Sequence, residues 1–333
     1  MKYVIKRIFL FGIVFLPFIP IMVVYFINDP FMVLRNYNDY SHPVCIPNRD
    51  YVSVQNFINR YRENNYNSFI FGSSRTIGVN VSEWQKHLRR DARIFKMDAS
   101  AESIYGIYKK VIFLDSMQVD LKNALLFLDR DVTFNNVSNN SREMLYIKHP
   151  AISGESEWDF QLVFFKAYMN PKFLIHYFDY LINKKYKPEM KGYIDNRVVL
   201  YDKFTNEMTI VGWEKFASDT SAYYTINKDY FYSRSGEKVS EKKQILDPQY
   251  FMLKEIKRIF DKHGTDFKIV LNPLYEQQKF HAADREMMKQ LFGENLYDFT
   301  GKNEYTENKY NYFEAYHYKS SLGSLILRKI YQK

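Results

Sequence analysis

Two short stretches carry residue types suited to covalent chemistry. The first is "SFIFGSSRTIGVN", Ser68 to Asn80, an apolar run that ends in Gly72, Ser73, Ser74 and Arg75. The second is "YFEAYHY" near the carboxyl end, where Glu314 stands three residues ahead of His317. A serine hydroxyl is a weak nucleophile until a base takes its proton, a third group orients that base, and N–H donors meet the developing oxyanion. A carboxylate three residues before a histidine in a loop can turn back and hold the imidazole, leaving its other nitrogen to face the serine. The plainer readings are a strand running into a Gly-Ser turn and an exposed histidine in a tyrosine-rich loop. The choice depends on whether the fold brings the two ends of the chain together.

The intervening sequence supplies elements that would do so. "SFIFG" (Ser68–Gly72) and "ALLFLD" (Ala124–Asp129) are too apolar for half-exposed strands and fit buried, parallel ones. "RIFKM" (Arg93–Met97) and "FKIVLNP" (Phe267–Pro273) read as two more. Helical patterns occur at Tyr51–Tyr61, Ser82–Arg90, Ser103–Met117, Pro248–His263 and Glu276–Leu291, with a last amphipathic helix through Leu322, Leu325, Ile326 and Ile330. Asp247 followed by Pro248 is a helix start signal. The alternation predicts an α/β sheet with right-handed crossovers, and such sheets bind ligands at the carboxyl ends of their strands. Gly72, Ser73 and Ser74 fall at such an end. Between about 135 and 246 the alternation fails: a helix, a break at Pro171 and a second helix precede short β-like runs, which together read as an insertion over one end of the sheet.

"FIFGSSRT", followed near the carboxyl end by "YFEAYHY" and a last helix, resembles the SGNH (GDSL-type) hydrolases. The likeness is to the membrane-anchored branch typified by DltD and the alginate O-acetylation proteins, and it spans roughly residues 67 to 333. It implies a flavodoxin-like three-layer sandwich with a central parallel sheet. It also implies Ser74 as nucleophile, His317 as general base and Glu314 as orienting acid, with no cofactor. Ser73, where that family has aspartate, is the rival nucleophile. Glu314 replaces the family's usual aspartate. The family's second block supplies an oxyanion glycine; here it reads "KMDASAES", so a backbone N–H of Ala99, Ser100 or Ala101 would have to serve. In place of the third block's asparagine, "LLFLDRDVTF" offers Asp129 and Asp131, which accept hydrogen bonds when ionised and would repel an oxyanion. Asp129 is therefore expected to organise the loop or bind a sugar hydroxyl. Arg75 pairs with a carboxylate such as Asp98 or Asp129, or faces an anionic or polyol substrate. Asn272 lines the cleft or caps the turn at Pro273.

The bulk properties narrow the setting. Among 333 residues there are 47 Lys+Arg against 38 Asp+Glu, but the basic residues are scattered, which argues against nucleic acid and suits an anionic envelope polymer or a membrane surface. One cysteine, Cys45, excludes an intramolecular disulfide and a cysteine-based zinc site, and the seven histidines have no paired metal-ligand spacing. "MKYVIKR" precedes an uncharged run from Ile8 to Ile27, close to the roughly 20 residues that cross a bilayer. Its basic flank places everything after Asn28 outside. The run ends "VVYFINDPF" without a small-x-small site, so an uncleaved anchor is expected rather than a cleaved signal peptide. The expected organisation is an anchor at 1–28, a crossing segment and first helix at 29–66, and the α/β domain at 67–333. The resemblance implies transfer or hydrolysis of acyl groups, most plausibly acetyl, on a cell-envelope glycan beside a multi-spanning membrane acyltransferase. The alternative is a non-catalytic glycan-binding or scaffold subunit of the same kind of complex.

Overall fold

The computed structural model describes residue 16 and residues 18–138, 141–214 and 220–332. Three of the expected apolar runs pair first: β1 (Ser68–Phe71), β2 (Ile94–Lys96) and β3 (Asn123–Leu128). An antiparallel hairpin follows, β4 (Val199–Tyr201) and β5 (Met208–Ile210), and then the short β6 (Lys238–Val239). β7 (Asp266–Leu271) returns to the sheet, β8 (Gln278–Lys279) pairs with β6, and β9 (Leu296–Asp298) closes the sheet edge. β10 (Tyr312–Glu314) and β11 (His317–Tyr318) form a last antiparallel pair. The five-stranded sheet has the order β2-β1-β3-β7-β9 and every pairing in it is parallel. The strand order reverses between β1 and β3, which places a crevice at the carboxyl end of β1.

Both faces of this sheet are covered, and side-chain alternation explains why the strands read as continuous apolar runs. Phe69, Phe71, Leu126, Leu128, Ile269 and Leu271 point into one core with the helices Ile104–Ser116 and Asp247–His263. Ile70, Leu125, Phe127 and Val270 point into the other, against Trp84 and the helix Ser320–Tyr331. Each fully buried side chain of this size contributes roughly 1.5–3 kcal/mol relative to exposure. The α/β class with a central parallel sheet is therefore as expected from the pattern.

Several boundaries differ from expectation. β9, "LYD", has two half-exposed residues and the exposed Asp298, without an apolar signature, and the pattern missed it. The helix expected from Ser82 to Arg90 stops at Gln85. The helix expected from Glu276 starts at Ala282, because Gln278 and Lys279 are taken into pairing with β6 and the His281 side chain caps Ala283. Asp247 opens its helix rather than capping it; the cap is Leu246, whose N–H donates to Gln249 Oε1 at 3.1 Å.

Among the described residues, 135–246 adds no strand to the five-stranded sheet. Its helices Glu157–Tyr168 and Pro171–Asn183 build a third apolar cluster with Phe31, Val33, Tyr40 and Cys45 from the segment before the helix Arg49–Asn64. The expected apolar span from Ile8 to Ile27 lies partly outside the described residues. Its described part is the helix Phe18–Asn28, whose Tyr25 packs on Tyr168 with ring centroids 4.7 Å apart. Among the described residues no helix is long and apolar enough to cross a membrane.

Candidate active site

β1 ends in Gly72 and passes directly into the 3-10 turn Ser74–Gly78. Gly72 has φ +154°, and a Cβ there would lie 2.8 Å from Thr76 Cγ2 and 2.9 Å from the Phe127 carbonyl oxygen, so only glycine fits this corner. Ser73 is buried and caps the turn, its Oγ accepting the Arg75 N–H at 3.3 Å. Ser74, the next residue, is half-buried. Its Oγ lies 2.8 Å from His317 Nε2.

The histidine reaches it from the far end of the chain because β10 and β11 fold back over the turn. His317 Nδ1 is hydrogen-bonded to Glu314 Oε1, and Glu314 Oε2 accepts the Tyr316 N–H at 2.8 Å. Serine, imidazole and carboxylate thus form one relay, with Nδ1–H committed to the carboxylate and Nε2 free to accept from the serine. The side chains of His317 and Glu314 keep 23% and 22% exposure, so the relay opens to solvent on one side. The Trp213 indole lies against the imidazole, ring centroids 5.9 Å apart.

The last helix locks the turn from behind. Gly323 meets Gly78 so closely that a Cβ on Gly323 would fall 1.8 Å from the Gly78 carbonyl oxygen, and a Cβ on Gly78 would strike the Tyr318 ring at 2.6 Å. From the strand side, Lys96 Nζ donates to the Thr76 and Val79 carbonyls at 2.8 and 2.9 Å. Burial lowers the Lys96 pKa, with Glu207 and Asp98 opposing. Asp98 accepts from the Thr76 hydroxyl at 3.1 Å and pairs with Arg49 at 2.6 Å. Burial would raise its pKa, but Arg49 and Lys96 outweigh that and hold it low.

Arg75 therefore does not pair with Asp98. Its guanidinium forks onto both oxygens of Asp131 at 2.7 Å, lies 3.1 Å from Asp129 Oδ1, and donates through Nε to the Tyr316 carbonyl at 2.8 Å. Its side chain is 6% exposed, which rules out the substrate-facing alternative in this conformation. Burial opposes its charge, yet Asp129 and Asp131 more than compensate and raise its pKa.

Asp129 is fully buried, so it organises the loop rather than meeting a sugar. Its Oδ1 also accepts from Asn272 Nδ2 at 2.6 Å, its N–H donates to Thr133 Oγ1 at 2.8 Å, and its Oδ2 has no partner among the described residues. Asn272 is equally buried and takes the Tyr318 hydroxyl on its Oδ1 at 3.2 Å. It links strand ends instead of lining the cleft. Of the second block, the Ala99 N–H is spent on the Gly72 carbonyl at 3.1 Å. The N–H groups of Ser74, Ser100 and Ala101 are accepted by no group among the described residues, and Ala101 has φ +46°.

Asp131 was named from the sequence without its pairing to Arg75, and the other residues that hold this site together left little or no sequence signal. Asp131, Tyr316, Tyr318, Lys96, Arg49 and Trp213 position the relay without belonging to it. One of them left a signal: Lys96 is a lone charge inside an otherwise apolar strand, and such a charge must find buried acceptors. No protein-family model matches the chain, and no curated protein matches it significantly.

Proposed function

We propose that the protein is a membrane-anchored, SGNH-like acyl transferase or esterase acting on acyl groups such as acetyl of a cell-envelope glycan. The single observation that carries this reading is the relay Ser74 Oγ, His317 Nε2 at 2.8 Å, and Glu314 on His317 Nδ1. The sheet order with its reversal at β1 and β3, the nucleophile turn after the first strand, and the histidine just before the last helix agree with a flavodoxin-like three-layer sandwich of this type. The segment 135–246 is its insertion.

His317 Nε2 takes the Ser74 proton as Oγ attacks the carbonyl carbon of an acyl ester. The tetrahedral oxyanion is met by backbone N–H groups, with Ser74, Ser100 and Ala101 as donors. Collapse breaks the ester bond, the leaving alcohol takes the proton from His317, and the acyl group stays on Ser74. A sugar hydroxyl or water then gives its proton to His317 and attacks the acyl-serine, which restores Ser74. Glu314 keeps the imidazole in one tautomer and stabilises the imidazolium. No cofactor takes part.

Support for the membrane setting comes from the helix Phe18–Asn28, where Phe18, Ile19, Met22, Val23, Phe26 and Ile27 are all exposed. Such apolar exposure beside an uncharged run from Ile8 fits the end of an anchor. A multi-spanning acyltransferase is the partner this arrangement would serve.

One observation favours a non-catalytic, glycan-binding reading. Where the family places an oxyanion asparagine, Asp129 is buried against Arg75 and Asn272, so no side-chain amide is free for the oxyanion. The two readings separate in one experiment. The full chain in detergent is incubated with p-nitrophenyl acetate, quenched in acid and mapped by peptide mass spectrometry. Acetyl on Ser74 that is absent in Ser74→Ala supports the transferase; release of nitrophenol that does not depend on Ser74 excludes it.

A further inference from the structure

The two loops that flank Ser74 also wall a cavity. Ala99, bonded to the Gly72 carbonyl, is followed by Ser100 and Ala101; Asp131, bonded to Arg75, is followed by Val132. Ser100, Ala101 and Val132 line a cavity of about 370 Å³ at the carboxyl ends of β2 and β3. This is the size of a small-molecule site rather than of a packing defect.

Most of its lining residues carry polar groups. Apart from Ala101 and Val132, every lining side chain carries a hydroxyl, amide, carboxylate or ammonium group. Asn135, Asn136, Ser138 and Glu143 stand around it, and the 40%-exposed ring of Tyr146 forms part of the rim. Amide, hydroxyl and carboxylate groups beside an exposed aromatic face are what a ring with many hydroxyls and one apolar face requires. The floor is rigid: Ser103 caps the helix Ile104–Ser116, and Lys148 is held between Glu102 and Asp50.

The charges narrow the ligand further. Lys148 is the one cation among the lining residues, and it shares Glu102 and Asp50 with the buried Lys110, so the four charges cancel. Glu143, exposed on the same wall, adds a negative charge. A uronate or phosphorylated sugar would meet net repulsion here, and a neutral sugar would not. We infer that this cavity, walled by the loops after β2 and β3 with Tyr146 at its rim, is a subsite for a neutral pyranose of the substrate, beside the acyl group presented to Ser74. The acyl half of this inference rests on the proposed function; the sugar half does not.

The test uses the full chain in detergent with four probes. These are p-nitrophenyl acetate, acetylated methyl glucoside, acetylated methyl glucuronide and, for binding alone, methyl glucoside followed by saturation-transfer NMR on Ser74→Ala. Expected are a preference of about tenfold for the glucoside ester over the glucuronide ester and a fall of about tenfold, in Asn136→Leu and Tyr146→Ala, of the glucoside-ester rate relative to the nitrophenyl-ester rate. Glu143→Gln should narrow the discrimination against the glucuronide. Ser74-dependent hydrolysis of p-nitrophenyl acetate with none of these ratios altered overturns the subsite and leaves the catalytic reading standing. If no ester is hydrolysed the catalytic reading fails, and methyl glucoside decides the subsite: binding lost in both Tyr146→Ala and Asn136→Leu upholds it, and absent or unaffected binding overturns it.

Discussion

Arg75 Nε donates to the carbonyl of Tyr316 at 2.8 Å, so the residue after the serine holds the residue before the histidine. The same guanidinium is fixed by the fork onto Asp131 and by Asp129, which is tied through Asn272 to the hydroxyl of Tyr318. A short buried network thus joins residue 75 to both neighbours of His317. Lysine supplies the charge but not the planar fork. Arg75→Lys should therefore keep the fold and lower kcat on p-nitrophenyl acetate by about 100-fold, with a smaller change in KM, because the histidine loop is displaced from Ser74. Equal kcat in the two proteins would show that the network does not position the relay.

Glu314 holds the imidazole through Nδ1, and this bond sets which nitrogen faces Ser74. In Glu314→Gln the amide can donate as well as accept and no longer fixes the tautomer, so kcat should fall by about 10⁴-fold, as in other serine relays. Glu314→Asp should recover part of that loss. Steady-state rates for the three proteins decide the point, and a glutamine variant with native kcat would remove Glu314 from the mechanism.

Gly323 lies so close to the Gly78 carbonyl that a methyl group on Gly323 must push the last helix away from the turn that carries Ser74. Gly323→Ala should cost about 1–3 kcal/mol in a denaturant titration and should lower activity as well, since the turn it displaces carries Ser74. An unchanged midpoint would mean that the helix does not bear on the turn.

His149 is buried beside Tyr51, with Nδ1 accepting the Ala151 N–H at 3.0 Å and Nε2 therefore donating to Gln55 at 3.1 Å. Burial lowers its pKa from the ordinary 6.5 to about 4, with Asp50 opposing and Lys110 adding to the effect. Above pH 6.5 the imidazole is neutral in both folded and unfolded chains and stability is unaffected. As the pH falls from 6.5 towards 4 the unfolded chain takes up a proton that the folded chain refuses, so about 3 kcal/mol of stability is lost. His149→Asn keeps a capping acceptor and should flatten this part of the curve of Tm against pH. A slope equal to that of the native protein would contradict the assignment.

Much of this was legible from residue order because burial writes itself into strand composition. "FIF", "LLFL" and "KIVL" are buried on both faces and read as strands without help. β9 was not legible, because none of its three residues is buried and they lie at the sheet edge, where no apolar pattern is imposed. At the site, Ser74, His317 and Glu314 could be picked out because acyl transfer demands those residue types. Arg75 was understood only in part. Asp98 and Asp129 are equally good partners on paper, and only the fold reveals that Arg49 already occupies Asp98. Asn272 and Asp129 end their strands as polar residues do at many clefts. Their burial in a shared network depends on Tyr318, 46 positions from Asn272, and local sequence does not encode that contact.

The most direct test of the central claim is covalent labelling of the full chain in detergent with a fluorophosphonate, comparing the native protein with Ser74→Ala, Ser73→Ala and His317→Ala. Labelling of the native protein is expected to persist in Ser73→Ala, whose hydroxyl only caps the turn, and to be lost in Ser74→Ala and His317→Ala. Labelling that survives in Ser74→Ala, or its absence from the folded native protein, would contradict an activated serine at the end of β1.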